Sequence, residues 1–198
     1  SVMRTTLWAG LLKAVQYNQN RQQSRVRLFE TGLRFIPTED GLRQERMLSG
    51  VVAGTVNVEL WSHIKKDIDF FDIKGNIERV VALLGASDRV AYKPSAHPAL
   101  HPGQSAEIEI NGQSVGCLGA LHPRLLAELG LLGPVYLFEM CLEHIDEGRL
   151  PAFAELSRFP EVRRDIAVLC GRDVPAADQP ASVREVAGPE LRDCRVRG

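Results

Sequence analysis

Two stretches of the chain place apolar side chains about one helical turn apart. The first follows Thr5 and Thr6, either of which can cap a helix N-terminus. Its apolar positions are Leu7, Trp8, Leu11, Leu12 and Val15. The second stretch ends at Gly85, and its apolar positions are Phe71, Ile73, Ile77, Val80, Val81 and Leu84. Since a helix with one apolar stripe must cover that stripe, we expect the second helix to pack on a sheet.

Between and after these helices the pattern changes to that of strands. Residues 26–35 are rich in strand-forming side chains and stop before Pro37 and a predicted surface loop at residues 38–41. A short apolar run at residues 47–53 is typical of a buried strand.

The firmest local prediction is a hairpin. Residues 106–110 alternate apolar with acidic side chains, Asn111-Gly112 is a favoured two-residue turn, and residues 114–121 supply the return strand. A short helix at 124–129, ending at Gly130, and a hydrophobic strand at 135–142 follow. The order favours an α+β domain in which helices flank an antiparallel sheet, over residues 1–150, with a boundary near 148–156.

The stretch Ser157-Arg158-Phe159-Pro160-Glu161-Val162-Arg163-Arg164-Asp165-Ile166-Ala167-Val168-Leu169 changes character within a few residues. A proline-anchored turn with three arginines gives way to an apolar run with strand character. We read it as the opening of a second domain, over residues 151–198, with a basic edge. A helix is expected near residues 183–186.

Composition limits the possible classes of protein. The 198 residues are 44% hydrophobic and 25% charged, as in ordinary globular proteins, and the formal net charge of −1 excludes a globally basic nucleic-acid binder. Any RNA contact must therefore use a local patch. No apolar run approaches the roughly 20 residues of a membrane span. The four cysteines lie far apart, which predicts reduced thiols and neither a zinc site nor a disulfide framework.

Three stretches resemble one known protein in the same order. They are Arg27-Leu28-Phe29-Glu30-Thr31-Gly32, the run from His97 to Ala106 (HPALHPGQSA), and residues 157–169. All three are similar to the C-terminal part of the beta subunit of bacterial phenylalanyl-tRNA synthetase. The resemblance implies a non-catalytic module like a class II synthetase over residues 1–150. It also implies a ferredoxin-like anticodon-binding domain at 151–198, which we expect to be incomplete because only one of its two β-α-β halves is present.

The same resemblance implies a function. The chain would belong to a cytoplasmic ligase of protein biosynthesis, an α2β2 assembly that uses ATP and magnesium to attach phenylalanine to its tRNA. This stretch would pair with the catalytic alpha subunit and help to bind tRNA, without a cofactor or catalytic residue of its own. Ser1 is expected to lie within a longer polypeptide whose editing site is upstream.

The chain lacks two ATP-binding arginines that a catalytically active class II synthetase would have. In a working class II site, an arginine would fall where this chain has Ile36, and a second near the position of His144. Without these guanidinium groups a triphosphate has no charge-assisted partners. We therefore expect that this stretch has no catalytic activity.

Arg158, Arg163 and Arg164 are the candidate RNA-binding residues, because guanidinium groups bind phosphates and stack on unpaired bases. The alternative is that they form salt bridges with Glu155, Glu161 or Asp165. The helix with Leu7, Trp8, Leu11, Leu12 and Val15 is the candidate subunit interface, because its apolar positions span more than one face. Burial in its own core is the alternative.

Other residues could carry different chemistry. His97 and His101 have the spacing of a helical metal pair, but Pro98 and Pro102 argue against a helix, which favours a rigid loop. A stand-alone small-molecule enzyme with its site at these histidines, or a generic interaction module, remains the alternative function. Asp67, Asp69 and Asp72 could be imagined as a magnesium site, although capping of the following helix is the preferred interpretation.

Overall fold

A computed structural model of the chain describes residues 3–39, 41–57, 66–87, 89–143, 162–171, 174, 178–188, 191–192 and 194. The chain divides into two compact units, Ser1–Phe153 and Ala154–Gly198. Within the described residues, no helix is long and apolar enough to cross a membrane.

The described residues of the first unit form three helices and six strands. In chain order they are α1 (Trp8–Gln19), β1 (Val26–Thr38), β2 (Gly41–Ala53), α2 (Phe70–Leu83), β3 (Val90–Pro94), β4 (Leu100–Ile110), β5 (Gln113–Leu121), α3 (Pro123–Glu128) and β6 (Val135–Cys141).

The six strands form one antiparallel sheet in the order β1-β2-β6-β5-β4-β3. Strand β6 lies inside the sheet, and every one of its residues is buried. This confirms the predicted α+β class with an antiparallel sheet flanked by helices.

The two helices α1 and α2 cover different sides of this sheet. Since successive side chains of a strand point to opposite sides, Leu137 and Val51 lie on one side with α1, and Phe138 and Val52 lie on the other with α2. We call these sides the α1 face and the α2 face. Each face has its own hydrophobic core, and neither helix contributes to the core of the other.

The predicted hairpin is present, and its turn explains its register. Asn111 and Gly112 have φ angles of 55° and 74°, the positive values that a two-residue type I′ turn requires. Strands β4 and β5 therefore pair from Ile110 opposite Gln113 onward.

Other strands are longer than predicted. Strand β2 begins at Gly41 rather than near residue 47, because its polar first half pairs with β1 as a long hairpin. Strand β4 begins at Leu100, so the predicted loop from His97 is partly strand, with a register shift between Leu100 and Ser105. Strand β3 was not predicted.

The helix starts follow two different rules. In α2, Asp69 is the N-cap and forms a reciprocal capping box with Asp72, which confirms the predicted capping role of this acidic cluster. In α1 the N-cap is Leu7, which has no side-chain cap, so the prediction of Thr5 or Thr6 as N-cap was wrong. The Thr6 hydroxyl still accepts a hydrogen bond from the Trp8 N–H at 3.2 Å.

The second unit has one described helix, α4 (Asp178–Ala187), at the place where a helix was predicted. Residues 162–171 are neither helix nor strand, so the strand predicted for the apolar run at 166–169 was wrong. Ile166, Val168 and Leu169 are exposed there, and without burial an apolar run gains nothing from strand pairing.

Candidate functional site

A buried glutamate ties helix α1 to the centre of the sheet. Glu139 of β6 is only 4% exposed. Its Oε2 accepts hydrogen bonds from the Leu7 N–H at 3.0 Å and from the Thr6 hydroxyl at 2.8 Å. A carboxylate at this position satisfies the backbone N–H of the residue that precedes α1 and faces the positive end of the helix dipole.

Arg34 joins Glu139 to a second buried carboxylate, Glu45. Arg34 and Glu45 lie directly opposite each other in the β1–β2 hairpin, and the Nη2–Oε2 distance is 2.6 Å. Arg34 Nη1 lies 3.4 Å from Glu139 Oε1, and Arg43 Nη2 lies 2.6 Å from Glu45 Oε1. We call these four residues the Arg34 network. Its two carboxylates and two guanidinium groups cancel in charge, so neither glutamate is a free general base.

Each candidate histidine accepts a hydrogen bond from a backbone N–H of its own loop. His97 Nδ1 accepts a hydrogen bond from the Ala99 N–H at 3.2 Å, and His101 Nδ1 accepts one from the Gly103 N–H at 3.0 Å. His122 does the same for the Arg124 N–H at 3.2 Å and so caps α3. An accepting Nδ1 places the proton of neutral imidazole on Nε2. These contacts agree with the rigid-loop interpretation of the sequence.

His97 also meets Trp8 edge to face, with ring centroids 5.0 Å apart. The Trp8 indole N–H donates to the Phe138 carbonyl oxygen at 3.0 Å, which fixes the indole ring. Burial lowers the pKa of His97, and the charge of Glu139 opposes this in part. Neutral imidazole is therefore favoured.

Cys117 lies beside the same carboxylate, opposite Glu139 in the β5–β6 pair. Burial, followed by the charge of Glu139, raises the pKa of this thiol to about 12. The thiol stays protonated near neutral pH, so Cys117 is not an activated nucleophile.

The acidic residues before α2 are already committed to the fold. Asp69 Oδ1 accepts from the Asp72 N–H at 3.0 Å, and Asp72 Oδ2 accepts from the Asp69 N–H at 2.9 Å. Lys66 Nζ lies 3.3 Å from Asp69 Oδ2. Among the described residues, no group of three or more histidine, cysteine, aspartate or glutamate side chains could hold a metal ion.

The proposed interface residues of α1 point into the protein. Leu7, Trp8, Leu11 and Val15 are at most 5% exposed, and Leu12 is partly buried against the same core. These side chains are therefore buried in the chain's own core, as the alternative interpretation had it, because the α1 face of the sheet covers them. The subunit-interface role of this helix stays a prediction.

The predicted RNA-binding arginines are only partly described. Arg163 and Arg164 lie in the irregular, exposed stretch 162–171, whereas Arg158 lies outside the described residues. Ile36 is on β1 opposite Arg43, and His144 lies outside the described residues. The RNA-binding role of these arginines stays a prediction.

A different group of arginines lines a pocket of about 400 Å³ between the start of β1 and the outer side of α2. We call this the arginine pocket. Its charged, polar and aromatic residues are Arg25, Arg27, Arg79, Asp72, Asn76 and Phe71. Arg25 and Arg27 both donate through Nη2 to the Val56 carbonyl oxygen, at 3.4 and 3.1 Å.

Sequence reasoning missed the arginine pocket because its parts are far apart along the chain. The available signal was local: Arg25 and Arg27 alternate along the chain, and Gly75 and Arg79 are one helical turn apart outside the apolar stripe. Phe71 was assigned to that stripe from the sequence, but it is 74% exposed and lies on the same side of α2 as Gly75 and Arg79. Only the packing of α2 beside β1 brings the two sets together.

Comparison with known proteins identifies the family. Residues 1–142 match the family model described as the phenylalanyl tRNA synthetase beta chain CLM domain. The chain is 53% identical over 196 residues to a phenylalanine-tRNA ligase beta subunit of Pseudomonas fluorescens strain Pf-5, covering 99% of the chain. It is 53% identical over 196 residues to the subunit of Pseudomonas savastanoi pv. phaseolicola, again over 99% of the chain. Identity to that of Hahella chejuensis is 47% over 188 residues, or 95% of the chain.

The matched stretch is a small part of those relatives. The chain covers 25% of each Pseudomonas subunit and 24% of the Hahella subunit, so it spans about a quarter of their length. Its position within the subunit stays a prediction. Because the family model covers most of the chain and the identities extend over nearly all of it, the chain belongs to the phenylalanyl-tRNA synthetase beta chain family.

Proposed function

We propose that this chain is a non-catalytic part of the beta subunit of phenylalanine-tRNA ligase. It supports pairing with the catalytic alpha subunit and binding of tRNA, in a cytoplasmic α2β2 enzyme that uses ATP and magnesium. The observation that carries the proposal is the identity of about half the residues over nearly the whole chain to beta subunits of this ligase.

The geometry of the α1 face supports a structural role. Arg34 lies two residues before Ile36, the position at which a class II site would present an arginine to ATP. Its guanidinium group is held by Glu45 and Glu139 and is not available to a triphosphate. The residues on this face therefore do not fit an ATP-magnesium site, and we derive no catalytic step through one.

Calorimetric titration of the chain with ATP and magnesium tests this part of the proposal. We expect no saturable heat, because both guanidinium groups of the Arg34 network are paired with carboxylates and neither is free to bind the phosphates of ATP. A micromolar dissociation constant would refute the loss of the site.

For the domain organisation we propose a class II synthetase-like module at 1–150 and a partial ferredoxin-like anticodon-binding domain at 151–198. The antiparallel sheet with helices on both faces supports the first assignment, and the division after Phe153 supports two domains. The described part of the second unit contributes only α4 to this argument.

We propose that Arg158, Arg163 and Arg164 contact tRNA, because arginine side chains that bind phosphates release counterions. In the complete enzyme, reversal of all three to glutamate should raise the KM for tRNA several-fold. Phenylalanine-dependent ATP-pyrophosphate exchange needs no tRNA and should hardly change. Equal losses in both assays would show that the arginines stabilise the fold instead.

The alternative of a small-molecule enzyme near His97 and His101 has no support. Both imidazoles are used by their own loops, and neither has an orienting carboxylate among its hydrogen-bond partners in the described residues.

A further inference from the structure

The arginine pocket has an excess of positive charge that its own lining does not cancel. Three arginines line it with one carboxylate, Asp72. Within the described part of the chain, Arg25, Arg27 and Arg79 form no salt bridge, unlike Arg34 and Arg43.

The single carboxylate is already in use. Asp72 Oδ2 accepts the Asp69 N–H as the second half of the capping box. Asp72 acts on Arg27 only through its charge, which favours the charged guanidinium. Three cations against one anion leave a formal excess of two positive charges around the pocket.

The arginines repel each other in this arrangement. Arg25 and Arg27 share one acceptor, the Val56 carbonyl oxygen, which brings their guanidinium groups together. Burial and then the charge of Arg25 lower the pKa of Arg27. A bound anion would remove this repulsion and offer oxygen acceptors to all three side chains.

The wall formed by α2 offers more than charge. The Phe71 ring is 74% exposed at the edge of the pocket and is steadied by an edge contact with Phe70, with centroids 5.8 Å apart. Asn76 adds an amide that can donate and accept. Between them Gly75 leaves open space, since a Cβ there would meet nothing within 4 Å.

We propose that the arginine pocket binds RNA: the arginines hold a phosphodiester and Phe71 stacks on an adjacent unpaired base. An acidic peptide would need the cations alone, whereas an exposed ring beside the phosphate partners suits the alternation of phosphate and base in a nucleotide chain. The inference rests on the proposed tRNA-binding function and adds a second contact surface to that of Arg158, Arg163 and Arg164.

The test uses the complete ligase and measures its dissociation constant for tRNA by fluorescence anisotropy at several salt concentrations. The variant is Arg25→Ala with Arg79→Ala, since both side chains are exposed. The matched control is Lys13→Ala with Arg124→Ala, which removes two exposed cations from α1 and α3. We expect at least tenfold weaker binding for the pocket variant at about 0.1 M salt, and a salt slope reduced by about two.

A second pair of variants separates stacking from charge. Phe71→Ala should weaken tRNA binding about tenfold without changing the salt slope, and Phe71→Trp should restore it. Because Phe71 is exposed, neither change removes a core side chain.

The outcomes are distinct. Unchanged tRNA affinity in the Arg25/Arg79 variant and in Phe71→Ala would overturn the RNA site, even though the enzyme still binds tRNA. Loss of subunit assembly with unchanged tRNA affinity would also overturn it, in favour of an acidic protein partner. An equal loss of tRNA affinity in the matched control would also overturn the site, because it would show that any two exposed cations contribute as much as those of the pocket. If the unaltered ligase itself failed to bind tRNA, the proposed function would fail, and not the pocket alone.

Discussion

Arg34 and Arg27 lie on the same strand, β1, but in opposite electrostatic surroundings. They are seven positions apart, and an odd offset along a strand places side chains on opposite sides, so Arg34 points to the α1 face and Arg27 to the α2 face. Arg34 is neutralised by Glu45 and Glu139, whereas the nearest charged neighbours of Arg27 in the arginine pocket are other arginines and the capping Asp72.

This difference separates a structural arginine from a recognition arginine. On the α1 face, two carboxylates that are almost fully buried need Arg34, because an unpaired buried charge is costly. On the α2 face the arginines are exposed, and the fold gains little from their charge. An exposed and uncancelled group of like charges is therefore the better candidate for binding a ligand.

The largest effect is expected from Arg34→Ala. The change leaves Glu45 and Glu139 buried with less compensation, and removal of one partner of a buried pair costs about 3 kcal/mol or more of unfolding free energy. Urea denaturation of the chain measures it. Arg43→Ala is the control, since the Arg43 side chain is 61% exposed and its pair with Glu45 should contribute about 1 kcal/mol or less. Equal small losses would mean that the network does not hold α1 on the sheet.

The elements with local signals were predictable from sequence. The alternating pattern of β4, the Asn111-Gly112 turn and the apolar stripe of α2 each depend on residues that are close in the chain. The extra length of β1 and β2 was not predictable in the same way. Its polar residues form a strand only because each half of the hairpin pairs with the other.

The Arg34 network and the surroundings of α1 could not be predicted from the sequence, because both are formed by residues that are far apart along the chain. Nothing local to Arg34 indicates that Glu139, far along the chain, will reach it, so the Arg34 network was missed. The sequence left open whether the apolar positions of α1 face another subunit or their own core for the same reason, because helical periodicity gives the apolar stripe but not what covers it. The capping role of Asp69 and Asp72 was predicted because a capping box is local.

A gain in stability is expected from Gly75→Ala, on the pocket side of α2. Glycine inside a helix is about 1 kcal/mol less favourable than alanine, and an added Cβ meets nothing within 4 Å. Urea denaturation should therefore show a gain of up to about 1 kcal/mol. Gly85→Ala is the control and should lose stability, because Gly85 has a φ of +69°. A loss at Gly75 would mean that the pocket side of α2 is packed and not open.

A smaller effect is expected from Arg79→Ala. Arg79 is exposed and has no salt bridge among the described residues, so the unfolding free energy should change by about 0.5 kcal/mol or less. Arg34→Ala is measured in the same experiment, so that the losses of unfolding free energy in the two variants can be compared directly. A loss at Arg79 as large as that at Arg34 would place both in the structural class.

The smallest effect concerns His97, which lies next to the Arg34 network on the α1 face. Burial lowers its pKa in the folded chain, so between that value and the unfolded pKa of about 6.5 the unfolded state binds more protons. This contribution to stability is therefore complete above about pH 6.5 and is lost as the pH falls towards the folded pKa.

His97→Asn removes the titration and keeps an acceptor near the Ala99 N–H. Denaturation of both proteins at about pH 7.5 and 5.5 isolates the histidine, because all other titrating groups are shared. The original chain should lose slightly more stability on acidification than the variant, and the loss should be small because His97 is exposed. An identical pH dependence in the two proteins would mean that the burial of His97 does not disfavour the imidazolium form.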